Sequence, residues 1–248
     1  MQRSSTDEKE NDMKTYTYAG YRITEFDPKN LRLLWWDKPK NGSPKNAFNL
    51  GFFGNYSAGG TKYTLPGGNV CVDSGTIGLQ QKQDVVSWGG SVDKGKVRLT
   101  VNQNGSTQFK NKAITTLVIS ELGLASFYEL LVLPPDCKYA ISGYPIIRKG
   151  EDVSYTNTFK PQGWYDDILR SAYRNMIGGK GQTLYLISGK SNTSNLLKTS
   201  EVFNALKTLK LDNLIGLDGG GSYISTVGAP ILKTSENRRI NTIGIIDA

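Results

Sequence analysis

Apolar residues along this chain come in short runs broken by glycine and other turn residues, a pattern of strands rather than of long helices. Tyr16 to Thr24 alternates aromatic or aliphatic with polar positions and predicts one strand, and Asn30 to Trp36 predicts a second. Pro39 to Pro44 is a loop by composition. Ala47 to Asn55 has the signature of a buried strand with one polar residue, Asn49, among apolar neighbours. Between Ser57 and Gly105, short strands separated by Gly-Gly, Asp-Ser-Gly and Asp-Lys-Gly turns predict antiparallel sheet. Ile114 to Ser120 and Ala125 to Leu133 continue it, and Tyr139 to Ile147 reads as one buried strand bent at Gly143 to Pro145. The polar stretch Glu151 to Gly163 predicts a mobile surface loop or lid.

From Ser171 the pattern tightens. Tyr173 to Gly178 enters a hairpin through Gly178 to Gly181 and Thr183 to Ile187 returns, with Arg174 near its start. Val202, Phe203, Leu206 and Leu209 recur at helical spacing behind a Thr199 or Ser200 cap. Leu214 to Leu217 is a buried strand, Ile224 to Val227 with Ile231 and Leu232 form a hairpin, and Ile240 to Ile246 closes the chain. No polar linker separates these elements. The expectation is one α+β domain over residues 13–248, largely antiparallel sheet with a few packed helices, behind a disordered leader at 1–12.

Composition narrows the chemistry. The chain has no histidine, so His-based triads, His metal sites and His general bases are excluded. Cys71 and Cys137 lack metal-ligand spacing; they are either two buried thiols or one disulfide. The formal charge of +8 attracts phosphate-bearing partners. The basic residues are dispersed, with Lys38-Pro39-Lys40 and Arg238-Arg239 the densest clusters, which argues against nucleic acid and for a positive field over an anionic small-molecule or glycan substrate. No apolar run of about 18 residues predicts a membrane span. The polar N-terminus has no apolar core of a secretory signal, which gives a cytoplasmic expectation.

One stretch carries most of the candidate chemistry. Leu214 to Leu217 delivers a carboxylate, Asp218, and breaks at once into Gly219, Gly220 and Gly221 before Ser222. Glycines let a ligand approach the backbone, and successive N–H groups form an anion-binding nest. The same residues also fit a tight Asp-Gly turn. Asn49 either ties down a neighbouring loop or points its amide at a ligand, since a buried amide without partners costs on the order of 1–3 kcal/mol.

The succession Asn49-x-x-Phe52-Phe53, Ala140-Ile141-Ser142-Gly143-x-Pro145-Ile146-Ile147, Arg174-x-x-Ile177-Gly178 and Leu217-Asp218-Gly219-Gly220-Gly221-Ser222 resembles the phosphodiester glycosidase family from about Phe48 to the C-terminus. The resemblance implies a hydrolase that cleaves the bond between a sugar anomeric carbon and a phosphodiester oxygen. It makes Asp218, Arg174 and Asn49 catalytic, and Gly219, Gly220, Gly221 and Ser222 substrate- or phosphate-binding. The family's closing segment has an arginine shortly before an Asn-x-Ile-Gly-type strand, which puts Arg239 and Asn241, with Arg238 beside them, in the binding set. The alternative is a non-catalytic phosphosugar or nucleotide-binding module of the same fold. No cofactor is required, and Mg²⁺ or Ca²⁺ held by Asp218, backbone groups and substrate phosphate stays open. A second carboxylate is not singled out among Glu201, Asp166, Asp167 and Asp73, and the oligomeric state is unknown.

Overall fold

Two strands place the candidate chemistry, and both follow from alternation. In Asn213–Gly219, Ile215 and Leu217 face one way, while Leu214, Gly216 and Asp218 face the other. In Arg174–Lys180, Ile177 faces the first side, and Arg174 and Met176 face the second. In the computed structural model of the chain, which describes residues 13–51, 53–58, 61–100, 108–190 and 199–247, these strands pair antiparallel at the centre of a seven-stranded sheet. Arg174 lies opposite Gly219 and Met176 opposite Gly216, with a register shift between them. On either side of this pair run Thr183–Lys190, Tyr21–Phe26 and Lys14–Tyr18 in one direction, and Tyr144–Arg148 and Glu151–Asp152 in the other.

A second, larger sheet is centred on Leu31–Pro39, Arg239–Ile246 and Ala47–Asn49, with Val70–Asp73, Cys137–Ser142, Ile114–Ser120 and Ala125–Leu130 extending it to one edge. Its pairings are antiparallel except for Leu31–Pro39 beside Val70–Asp73. The main apolar core lies between the sheets: Ile177, Leu186, Ile215 and Leu217 of the first meet Leu33, Trp35, Phe48 and Ile141 of the second. The outer face of the seven-stranded sheet is covered by Thr156–Phe159, Asp166–Leu169 and Thr199–Leu206, through Phe159, Ile168, Val202 and Leu206. The chain is therefore β-rich and mostly antiparallel with a few short helical segments. None of the helices among the described residues is long and apolar enough to cross a membrane.

Several sequence expectations are corrected. Tyr16 to Thr24 is a hairpin, not one strand: Lys14–Tyr18 and Tyr21–Phe26 pair through a turn at Ala19 and Gly20. Ala47 to Asn55 divides into Ala47–Asn49 in the larger sheet and Phe53–Ala58, which pairs with Thr61–Pro66. Tyr139 to Ile147 also divides, because Gly143 passes the chain from Cys137–Ser142 in one sheet to Tyr144–Arg148 in the other. A helix at Leu79–Ser87 was not expected; it is mostly polar and buries only Asp84 and Val85. The expected lid is pinned down, since Phe159, Gln162 and Trp164 are buried, with Gln162 Oε1 accepting from Thr115 N at 3.0 Å. Cys71 and Cys137 are free, buried thiols. The leader at 1–12 lies outside the described residues.

Candidate active site

The paired strands end at a cavity of about 370 Å³ on the helix-covered side of the seven-stranded sheet. Arg174, Asp218, Gly219, Gly220 and Ser222 all line it, so the guanidinium and carboxylate expected from separate motifs share one hollow. Tyr144 and Ile168 supply apolar wall, and Arg170 and Arg238 add two more guanidinium groups. Asp218 is the single carboxylate among the described lining residues, against three arginines. That balance favours an anionic occupant.

Asp218 is held from both sides. Its N–H donates to Leu50 O at 2.9 Å, its carbonyl accepts from Asn49 Nδ2 at 2.6 Å, and its Oδ1 accepts from Gly219 N at 2.9 Å. A carboxylate so anchored keeps one oriented oxygen. Arg174 is 5% exposed. Its terminal nitrogen donates to the carbonyls of Ile168, at 3.2 Å, and Arg170, which also pins the segment forming the cavity wall. Its Nε is closed off from solvent and has no hydrogen-bond partner. The guanidinium is thus held by its terminal nitrogen alone, and a buried donor without an acceptor costs free energy. Tyr21, packed nearby, has its hydroxyl pKa pushed up to about 12 by burial, against a lowering pull from Arg174, so it is a neutral phenol at neutral pH.

The glycine turn is tighter than a free nest. Gly219 N–H goes to Asp218 Oδ1 and Gly220 N–H to Tyr173 O at 3.0 Å, so two of the four expected amides are turned inward. Gly220 has φ of +55°, which L side chains rarely adopt, and Gly220–Ser222 is a single 3-10 turn. Tyr173, whose carbonyl fixes Gly220, stacks on the buried ring of Tyr223 at 5.3 Å. The tight turn that the sequence allows for this stretch is present, and it lines the cavity.

Asn49 does not turn its amide toward the cavity. Its Oδ1 accepts from Asn175 Nδ2 at 2.6 Å and Ile224 N at 3.1 Å, while its Nδ2 holds Asp218 O. It therefore staples the residue before the glycine turn to the residue after it. Asn175, which sequence reasoning missed, completes the staple: it donates to Ile224 O at 2.8 Å and accepts from Ser188 Oγ at 3.0 Å. Its position beside Arg174 is the one hint in the sequence. Asn175→Ala should cost about 3 kcal/mol in chemical denaturation, because buried partners lose their donor; a loss under about 1 kcal/mol would mean the network is not a unit.

Two other expected residues are not brought here. Arg239 is 62% exposed and bonds Asp37, with Nη2 to Oδ2 at 3.1 Å. Arg238, the residue before the strand, lines the cavity instead, and it also pairs with Glu236. Asn241 is buried at the register shift between Ile240 and Thr242 and is not among the lining residues. The other carboxylates lie elsewhere: Asp166 pairs with Lys160 at 2.9 Å, and Asp73 pairs with Lys96 at 2.6 Å. Glu201 is in the exposed first turn of its helix. No group of three or more Cys, Asp or Glu side chains among the described residues could hold a metal ion; in the cavity Asp218 is the one carboxylate among the described lining residues, beside the hydroxyl-bearing Tyr144, Ser171 and Ser222.

Comparison with a solved structure gives the same fold. The zebrafish N-acetylglucosamine-1-phosphodiester alpha-N-acetylglucosaminidase catalytic domain, auto-inhibited by its pro-peptide, superposes with a TM-score of 0.58 at 18% identity, over 95% of this chain and 81% of that one. A hypothetical protein from Synechocystis gives 0.48 at 13% identity over 94% of this chain and 61% of its own, and a putative exported protein from Burkholderia pseudomallei gives 0.43 at 11% over 92% and 74%. No curated protein matches. The family described as phosphodiester glycosidase matches residues 53–244, a span that contains Arg174, Asp218 and the whole glycine turn and begins just after Asn49. By that match the chain belongs to the phosphodiester glycosidase family.

Proposed function

We propose that the chain hydrolyses the bond between the anomeric carbon of a sugar and an oxygen of a phosphodiester. The observation that carries this reading is the pairing, in one cavity, of the Arg174 side chain with the anchored carboxylate of Asp218. In the proposed complex the Arg174 guanidinium donates to a phosphate oxygen, with Arg170 and Arg238 adding positive field from the exposed rim. Ser222 and the turn backbone contact phosphate or sugar hydroxyls. Asn49 acts through Asp218 as a positioning residue rather than on the sugar.

The chemistry fits a site with one carboxylate. Ordinary glycosides need a second carboxyl group to protonate the leaving oxygen. A departing phosphate monoester is a weak base and leaves without strong acid help. The bond from C1 to the phosphate oxygen breaks, positive charge develops at C1, and Asp218 stabilises it; water supplies the new oxygen at C1 and releases one proton. The anomer released first reports whether Asp218 also bonds to C1 on the way.

The test is a screen of sugar-1-phosphodiesters and nucleotide-linked sugars, with and without chelator, for released reducing sugar. Binding of these compounds with no release would leave a phosphosugar-binding module in place of an enzyme. Arg174→Ala should lower kcat/KM on phosphodiester substrates by about 10- to 100-fold through loss of a charge-assisted hydrogen bond, and leave neutral glycosides much less affected. Equal losses on both classes would assign Arg174 to holding the cavity wall alone.

A further inference from the structure

Lys40 is among the largest fully buried side chains of the protein, although its sequence context, Lys38-Pro39-Lys40, reads as a surface cluster. Burying an ammonium costs several kcal/mol unless its surroundings answer the charge. Its Nζ donates to Thr234 Oγ1 at 2.6 Å, and Thr234 Oγ1 donates in turn to Gly220 O at 3.2 Å. The hydroxyl has one proton and two lone pairs, so it can accept and donate at once. Lys40 also donates its backbone N–H to Arg238 O at 3.0 Å. The lysine thus reaches the glycine turn through one chain of bonds and a cavity-lining arginine through another.

We propose that Lys40 is a positioning residue for anion binding at the glycine turn, acting through Thr234 on the Gly220–Gly221 peptide. A donor on the Gly220 carbonyl draws electron density out of that peptide and strengthens its N–H, which belongs to Gly221, as a donor to an anion. Because Gly220 and Arg238 line the same cavity, the lysine holds turn and arginine in register while adding positive field from behind. Burial lowers the pKa of Lys40, and of the charged groups around it Glu236 opposes that shift while Arg238 and Lys233 reinforce it. This inference rests on the phosphate-binding reading of the cavity and names a residue behind it.

Isothermal titration with inorganic phosphate on the full chain tests it, comparing wild type, Lys40→Met, Thr234→Val and Thr234→Ser. The expected result is a Kd about tenfold weaker for Lys40→Met and Thr234→Val, near wild type for Thr234→Ser, which keeps the hydroxyl. In the ligand-free protein, the Gly221 amide nitrogen resonance should move upfield in Thr234→Val and stay in place in Thr234→Ser; a role in packing alone would not produce that pattern. Should Lys40→Met fail to fold, the two Thr234 variants decide. Unchanged phosphate affinity and an unmoved Gly221 resonance in a folded Thr234→Val protein overturn the relay and leave the phosphate site standing. Absence of phosphate binding by the wild type overturns both.

Discussion

Asp218→Asn should leave the protein folded and lower kcat on a sugar-1-phosphodiester by about 10²- to 10⁴-fold, the range removed with one essential carboxylate. The amide is isosteric, and its oxygen still accepts from Gly219 N, while the backbone bonds to Leu50 and Asn49 do not involve the substituted atoms. What changes is charge alone: the cavity loses its one described carboxylate and has nothing left to answer positive charge at C1. Rate of reducing-sugar release and thermal unfolding, measured side by side, check the prediction. Wild-type turnover by a folded Asp218→Asn protein would remove Asp218 from the mechanism.

Gly216→Ala should destabilise the fold by about 3 kcal/mol or more and abolish ligand binding together with it, a large effect for one methyl group. A Cβ at position 216 would lie 1.9 Å from Tyr144 Cζ and 2.3 Å from its Oη. Tyr144 has no easy retreat, because its ring packs edge-on to Trp164 at 6.3 Å and its hydroxyl end lies over the same strand. The ring can move only toward the cavity it lines, or the Tyr144–Arg148 and Asn213–Gly219 strands must separate. Chemical denaturation of Gly216→Ala measures the first effect and phosphate titration the second. Adding Tyr144→Leu should restore much of the stability without restoring the cavity wall; full stability of Gly216→Ala by itself would show that the sheet yields where it is described as tight.

The parts of this site that were legible in the sequence are those encoded within one element. The run Leu214 to Ser222 announces a buried strand, an acid and a turn, and the hairpin after Arg174 announces itself by its glycines. What was not legible depends on register between elements. Arg238 and Arg239 are neighbours of equal charge, and only the pairing of Arg239 with Pro39, set by a strand 200 residues away in the chain, decides which one meets the cavity. Asn49 could tie down a neighbouring loop or face a ligand, and only the family resemblance makes it catalytic; its partners are Asn175, Asp218 and Ile224, brought in by the packing of one sheet on the other. Lys40 gave no signal at all, since a lysine between prolines and glycine reads as surface. The Leu79–Ser87 helix was lost for a related reason: a helix that buries two residues has almost no apolar stripe to detect.

The staple through Asn49 joins strands that belong to different layers, since Asn49 is in the larger sheet and Asp218 and Asn175 are in the smaller. Each layer could acquire its own ladder of hydrogen bonds while the pocket remained unbuilt, because the acid's orientation is imposed from across the interior. On the proposed reading, a competent site requires both layers to be docked. Partially docked forms, however rich in strand, should be silent toward phosphate.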